Sequence, residues 1–341
     1  MPFSGADEPL LHGGELGAAR RLFPDAPEPF IDLSTGINPN PYPLPRLPAS
    51  LFAHLPDATA LGSLAAIAAK AFGAPSAAHV VPAPGTQILL PLVAGLLRPG
   101  RAAIVAPTYS EHARAAALAG HAVTEVGDLG VVADAGLVVV GNPKNPDGRL
   151  FARDDLIAVA KWLRRHGGML VVDEAFMDVG PPGLSLASEV GRGNIVVLRS
   201  FGKFFGLAGL RLGFALAAPP LAARLAALLG PWAVSAAALA VGAQALADQA
   251  WIETARRRLA QAATKLDTIL TGAGLDVIGG TTLFRLARTQ AAGELFHHLG
   301  HAGILVRVFP DHAMWMRFGL PAAAPDWQRL QIAIATFRDN S

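Results

Sequence analysis

The stretch Ser200-Phe201-Gly202-Lys203-Phe204-Phe205-Gly206-Leu207-Ala208-Gly209-Leu210-Arg211-Leu212-Gly213 sets one lysine among glycines and apolar residues, with a hydroxyl before it and an arginine after it. A free lysine is protonated at neutral pH and is a poor nucleophile. Apolar surroundings and nearby cations lower its pKa and favour imine formation with an aldehyde, most commonly pyridoxal phosphate. Ser200 and Arg211 would then bind the cofactor phosphate, the arginine through a charge-assisted contact that can be bidentate. The same segment also reads as a strand and a Gly-rich turn whose Lys and Arg are simply solvated. Two upstream motifs weigh against that reading.

The first is Val171-Val172-Asp173-Glu174-Ala175-Phe176, preceded by Met169 and Leu170. It predicts a short buried strand with an acid at its C-terminal end, where ligands gather in α/β sheets. Asp173 is placed to pair with a pyridinium nitrogen and keep the ring an electron sink, although an acid after a strand also serves as a helix cap or a Mg²⁺ ligand. The second is Gly141-Asn142-Pro143-Lys144-Asn145-Pro146-Asp147-Gly148, directly after Leu137-Val138-Val139-Val140. Two Asn-Pro pairs and an Asp-Gly make a rigid turn; its functional use would be a hydrogen bond from Asn145 to the ring hydroxyl oxygen. A further turn, Pro84-Gly85-Thr86-Gln87, precedes an expected helix from Thr86 to Leu97, whose N-terminal amides suit an anion.

In this order and spacing the three motifs closely resemble those of the fold-type-I pyridoxal-phosphate enzymes of the class I/II aminotransferase superfamily, over nearly the whole chain from His12 to about Arg338. The resemblance implies an α/β fold, with a large domain built on a mostly parallel sheet and a smaller α+β domain. It implies pyridoxal 5'-phosphate as cofactor. Lys203 and Asp173 are then the catalytic pair, with Gly85, Thr86, Gln87, Tyr109, Asn145, Ser200 and Arg211 holding the cofactor, Tyr109 by stacking on the pyridine. For the substrate it implies His12, Gly13, Gly36, Asn145, Arg307 and Arg317, the arginines for its carboxylate and phosphate. Both arginines end apolar segments, Ile304-Leu305-Val306 and Met314-Trp315-Met316, that would carry a guanidinium to a partly buried place needing an anionic partner.

The branch it most resembles decarboxylates L-threonine O-3-phosphate for cobalamin biosynthesis. A histidinol-phosphate-type aminotransferase is the alternative and a catalytically inactive relative the third reading. Phe176 stands where aminotransferases usually carry tyrosine, which tilts the expectation toward decarboxylation. Leu55 stands where relatives have a tyrosine that reaches the neighbouring subunit's cofactor, two residues before Asp57 of the matching site. Asp147 replaces the usual threonine of the turn. A homodimer is implied, with a phosphorylated amino acid as the small-molecule partner.

Composition fits a globular enzyme. At 341 residues two domains are expected, a large cofactor domain over 41–231 and a small domain over 232–341, with an N-terminal arm over 1–40 contributing to the small domain and the substrate site. Lys plus Arg number 28 against 26 Asp plus Glu, a net +2 with no long basic run, so no nucleic-acid partner is expected. The absence of cysteine excludes disulfides and thiolate metal sites and fits a cytoplasmic location; no metal is expected. Asp7 and Glu8 stand where a secretory signal needs bases and an apolar core. Leu225 to Ala247 lacks charge, but Gly230-Pro231 interrupts it and Ala dominates it, so two buried helices meeting at a bend are expected rather than a membrane span.

Elsewhere, helices are expected at Leu61–Phe72, Ser110–Ala119, Asp154–His166 and Gln249–Leu270. Strands are expected at Ala102–Ala106, Leu137–Val140, Met169–Val172, Ile195–Arg199, Leu212–Leu216, Leu275–Val277, Thr282–Leu286 and Ile304–Val308.

Overall fold

The computed structural model describes residues 13–132, 134–181 and 183–339. They form two compact units, one over residues 41–253 and the other from the residues up to Asn40 together with those from Thr254. The strands, in chain order, are β1 (Ile31–Leu33), β2 (Val80–Ala83), β3 (Arg101–Val105), β4 (Ala122–Val126), β5 (Leu137–Gly141), β6 (Met169–Asp173), β7 (Ile195–Ser200), β8 (Gly213–Leu216), β9 (Asp276–Thr281), β10 (Phe284–Arg288), β11 (Ile304–Val308) and β12 (Trp315–Gly319).

The unit over 41–253 carries a seven-stranded sheet in the order β2-β8-β7-β6-β5-β3-β4. Every pairing is parallel except those of β8, which runs antiparallel to β2 and β7. The central strands read LVVVG, MLVVD and IVVLRS and are buried nearly throughout, as expected of strands covered on both faces. The expected strand at Leu212–Leu216 is present as β8. Two strands that the sequence reading does not single out, β2 and β4, are the sheet's edges: β2 contains Pro82, which an edge tolerates, and β4 is largely exposed.

The helix expected from Thr86 is shorter, Leu89–Ala94, because Pro91 lacks an amide and fits only the first turn of a helix. The uncharged run contains two helices, Pro219–Leu229 and Ala236–Ala247, and the Ser235 hydroxyl caps the second by accepting from the Ala238 amide at 3.2 Å. Among the described residues no helix is long and apolar enough to cross a membrane. Helix Ala236–Ala247 packs on helix Ala58–Phe72. A Cβ added at Gly242 between them would lie 2.5 Å from a Leu212 methyl and 3.3 Å from Leu64. The contacts therefore divide the chain after Glu253, where the sequence reading divides it after Pro231.

The other unit carries a five-stranded sheet, β1-β11-β12-β10-β9. β1 joins it parallel to β11, and the remaining pairs are antiparallel. Helix Ala292–His301 packs on β11 and on helix Ala324–Asp339.

One ion network lies inside the seven-stranded unit. Arg199, in β7 and 5% exposed, donates to Glu174 at 3.1 Å and to Asp178 at 2.5 Å, with its guanidinium 4.5 Å from the centre of the Phe72 ring. Glu174 also accepts from the Ser185 hydroxyl at 2.6 Å and the Leu186 amide at 2.7 Å. Burial disfavours the Arg199 charge, but the Asp178 and Glu174 carboxylates outweigh it and hold the guanidinium above its ordinary pKa. Removing one member leaves the others charged and buried. Arg199→Ala should therefore cost about 3–5 kcal/mol in denaturant unfolding, and Arg199→Met, with Glu174→Gln and Asp178→Asn in the same chain, distinctly less.

Candidate active site

Because β3, β5, β6 and β7 are parallel, their C-terminal ends share one edge of the sheet. β8 runs the other way and starts at that edge, and β2, opposed to β8, ends there. The edge therefore gathers Gly85 and Thr86 after β2, Tyr109 after β3, Asn145 after β5, Asp173 at the end of β6, Ser200 at the end of β7 and Arg211 just before β8. Ser200 pairs across with Gly213, and Gly213 with Ala83.

This row forms a cradle of donors. Gly85 has φ +86°, and a Cβ there would lie 2.6 Å from an Arg211 terminal nitrogen; a Cβ at Gly213 would lie 2.7 Å from the Thr86 amide nitrogen. Only glycines permit the Arg211 guanidinium to lie against residue 85 and the Thr86 amide to lie against residue 213, whose strand partner is Ser200. Arg211 itself has φ +52° and donates to the Ala208 carbonyl at 3.1 Å. Cation, amide and hydroxyl suit a phosphate. The sequence reading ascribes the cradle's amides to a helix N-terminus, but the helix begins at Leu89 and Thr86 and Gln87 lie in the turn ahead of it. The Gln87 side chain accepts from the Tyr109 hydroxyl at 3.1 Å and donates to Glu111 at 2.7 Å, and Glu111 accepts from Arg114 at 2.9 Å.

Asp173 is held by a residue that the sequence reading does not single out. Its Oδ2 lies 2.8 Å from His112 Nε2, while Oδ1 accepts from the Ala175 amide at 3.0 Å. A carboxylate only accepts, so Nε2 carries the hydrogen and Nδ1 faces the Thr108 hydroxyl at 3.1 Å. The His112 ring is buried and meets Tyr109 edge-on at 5.8 Å. The available signal was its place three residues after Tyr109, one helical turn along.

Lys203 sits in the short helix Phe201–Phe204, whose Phe201 and Phe204 are buried. Its Nζ is 6.0 Å from the centre of the buried Phe176 ring. The two asparagines of the Asn-Pro turn differ. Asn142 is fully buried and exchanges hydrogen bonds with the Phe151 backbone at 3.0 and 3.4 Å, whereas Asn145 is partly exposed at the edge.

The other unit holds the two arginines. Arg307 in β11 and Arg317 in β12 are direct cross-strand partners, each inside its strand and directly after the apolar residues expected to carry it. Arg317 is buried, lies over Phe284 at 5.2 Å and donates to the Ser34 carbonyl at 2.6 Å. Ser34 follows β1, and its hydroxyl accepts from the Gly14 amide at 2.8 Å and donates to Asp32 at 2.5 Å. Gly13 packs so closely that a Cβ would lie 2.5 Å from the Ser34 carbonyl oxygen. Gly36 is buried in the segment that follows. His12 lies outside the described residues. Burial and the adjacent Arg307 charge pull Arg317 down to about 10, with Asp32 opposing. Two guanidiniums on neighbouring strands raise the local positive potential, which favours an anion there.

The sequence profile described as aminotransferase class I and II matches residues 55–336. The threonine-phosphate decarboxylase of Sinorhizobium sp. is 42% identical over 330 residues, 96% of this chain and 98% of that protein. The threonine-phosphate decarboxylase of Pseudomonas aeruginosa is 40% identical over 333 residues, 97% of this chain and 98% of that protein. In fold, the histidinol-phosphate aminotransferase of Sinorhizobium meliloti, solved in complex with pyridoxal-5'-phosphate, is similar with a TM-score of 0.80 and 20% identity, covering 95% of this chain and 94% of that one.

The depressed Arg317 pKa has a measurable consequence. A base whose folded pKa lies below its unfolded value disfavours folding at every pH below the folded value, and the penalty fades only as pH rises past about 10. The drop to about 10 is a penalty of a few kcal/mol in order of magnitude, and the Ser34 carbonyl bond, worth about 1 kcal/mol, is among the contacts that offset it. Arg317→Met should therefore be at least as stable as wild type without ligand at pH 7. Any rise in melting temperature that inorganic phosphate gives the wild-type protein should be smaller in the variant, the remainder coming from the cradle at Thr86 and Arg211. A clear loss of ligand-free stability would contradict this account.

Proposed function

Because the chain belongs to the aminotransferase class I and II family, we propose that it is a pyridoxal-phosphate-dependent lyase that decarboxylates L-threonine O-3-phosphate to (R)-1-amino-2-propanol O-2-phosphate. Two near-full-length relatives, at 42% and 40% identity, bear the name of that activity. The observation that carries the reading to this chain is the Arg307–Arg317 pair, which matches a substrate bearing both a carboxylate and a phosphate.

The residues divide the work. Thr86, Ser200 and Arg211 would hold the cofactor phosphate, with Gly85 keeping the cradle open and Gln87 steadying the Tyr109 ring for stacking on the pyridine. Asp173, oriented by His112, would pair with the ring nitrogen, and Asn145 would donate to the ring oxygen. Lys203 Nζ would hold the cofactor through its aldehyde carbon. Pyridoxal phosphate supplies the electron sink for the bond broken at the substrate α-carbon.

Arg307, Arg317 and the Gly13 amide, with His12, hold the substrate anions so that the carboxylate carbon leaves as CO₂. Lys203 Nζ then returns a proton to the α-carbon. Phe176, buried and without a hydroxyl, leaves Asn145 as the side-chain donor to the ring oxygen. The reading includes a role in cobalamin biosynthesis, a cytoplasmic location and a homodimer. The exposed Phe52 and Leu55, at 71% and 66%, are apolar surface that a dimer would cover.

Incubation of purified protein and pyridoxal phosphate with O-phosphothreonine should release CO₂ and 1-amino-2-propanol phosphate without any keto acid. Lys203→Ala should lower that rate at least about a thousandfold. Glutamate formed from histidinol phosphate and 2-oxoglutarate, with no CO₂ from phosphothreonine, would establish the aminotransferase instead. Sedimentation of the active enzyme should return the mass of a dimer, and a fully active monomer would remove that part of the reading.

A further inference from the structure

Lys144 is the one lysine that the reaction leaves unused and the fold fully buries, at 0% exposure. An ammonium without water is costly unless it is compensated, so its position needs a reason. Its Nζ donates to the Ala106 carbonyl at 2.8 Å and lies 3.8 Å from Asp147 Oδ2. Asp147 Oδ1 accepts from the Arg149 amide at 3.1 Å. The Lys144 amide donates to the Arg149 carbonyl at 2.9 Å, and its carbonyl accepts from the Gly148 amide at 2.9 Å. Burial lowers the amine's pKa, with Asp147 acting against it.

These contacts join two loops that leave neighbouring parallel strands. Ala106, after β3, opens the segment that carries Thr108, Tyr109 and His112; Lys144 and Asp147, after β5, flank Asn145. The peptide entering Asn145 is thus tied to its own turn through the Lys144 backbone and to the Tyr109–His112 segment through the Lys144 side chain. We propose that Lys144 and Asp147 are a positioning pair that fixes the Asn145 carboxamide relative to Tyr109 and His112, and so sets its hydrogen bond to the cofactor ring oxygen. The inference rests on the cofactor reading given above. Asp147 is then more than a turn residue, since its carboxylate supports a buried cation.

The test compares wild type, Asp147→Asn, Lys144→Met, Asn145→Ala and the double variant Asn145→Ala/Asp147→Asn. Three quantities are read: the pH midpoint of the bound cofactor's visible absorbance change, cofactor dissociation by equilibrium dialysis, and the melting temperature of the cofactor-free protein. Asp147→Asn and Lys144→Met should move the absorbance midpoint in the same direction as Asn145→Ala. Each should weaken pyridoxal phosphate by about tenfold, the scale on which supporting groups act on a bound centre. The double variant should shift the midpoint no further than Asn145→Ala alone, because the pair acts through Asn145.

Should Lys144→Met fail to fold, Asp147→Asn, which keeps the lysine, decides the matter. A lower melting temperature with absorbance midpoint and cofactor affinity at wild-type values would overturn the proposal and leave a purely structural pair. An Asn145→Ala midpoint equal to wild type would overturn it too. Wild-type protein that binds no pyridoxal phosphate would sink the cofactor reading itself, a different failure from the first two.

Discussion

A sheet covered on both faces can offer a side chain to a ligand only at the ends of its strands, and that constraint places every working group of the larger unit. Successive residues of a strand point to opposite sides, so Asp173 and Glu174 part company at the end of β6. Asp173 meets His112 at the edge, while Glu174, next in the chain, turns inward to Arg199, Ser185 and the Leu186 amide. One acidic dipeptide thus sends one carboxylate to the edge of the sheet and the other into an internal ion network. The reversed strand β8 obeys the same constraint, since only an antiparallel neighbour of β7 can start where β7 ends and bring Arg211 back beside Ser200.

The residues gathered at the sheet edge were largely legible in the sequence because they lie in short, locally patterned segments. An apolar run ending in Asp173, a doubled Asn-Pro and a lysine between glycines each carry their signal within about ten residues, close to the reach of local propensity. What was not legible depends on contacts distant in sequence. His112 matters only because the helix Glu111–Leu118 brings its ring to a carboxylate 61 residues away. Which asparagine of the turn is structural is settled by Phe151, nine residues on, and the division of the chain by the fit of Gly242 against Leu64 and Leu212. The edge strands β2 and β4 lacked the continuous apolar signature because one contains proline and the other faces water.

The buried cations show three different settlements with the same desolvation cost. Arg199 has two carboxylates and is held charged. Lys144 has a carbonyl and a more distant carboxylate, and its amine is pulled below its ordinary pKa. Arg317 has a carbonyl, an aromatic face and a like charge opposite, and is pulled down to about 10. The cation with two close carboxylates is held up and the two that lean on carbonyl oxygens are pulled down, so the proximity of opposite charge decides the direction.

The smaller unit is assembled from two stretches of chain separated by the whole of the larger one, and this bears on the order of events at the ribosome. β1 leaves the exit tunnel early, but the strand it pairs with, β11, follows some 270 residues later, with Ile31 waiting for Ile304. The larger unit has its complete strand set by Leu216 and its last helix soon after, so it can close while the rest of the chain is still being made. For that interval the N-terminal segment has no sheet to join, and its Phe30, Ile31 and Leu33, all buried at the end, are held in the open by the growing chain. A nascent polypeptide of this topology keeps one hydrophobic strand exposed until translation is nearly over, which makes that strand the natural place for a chaperone to hold.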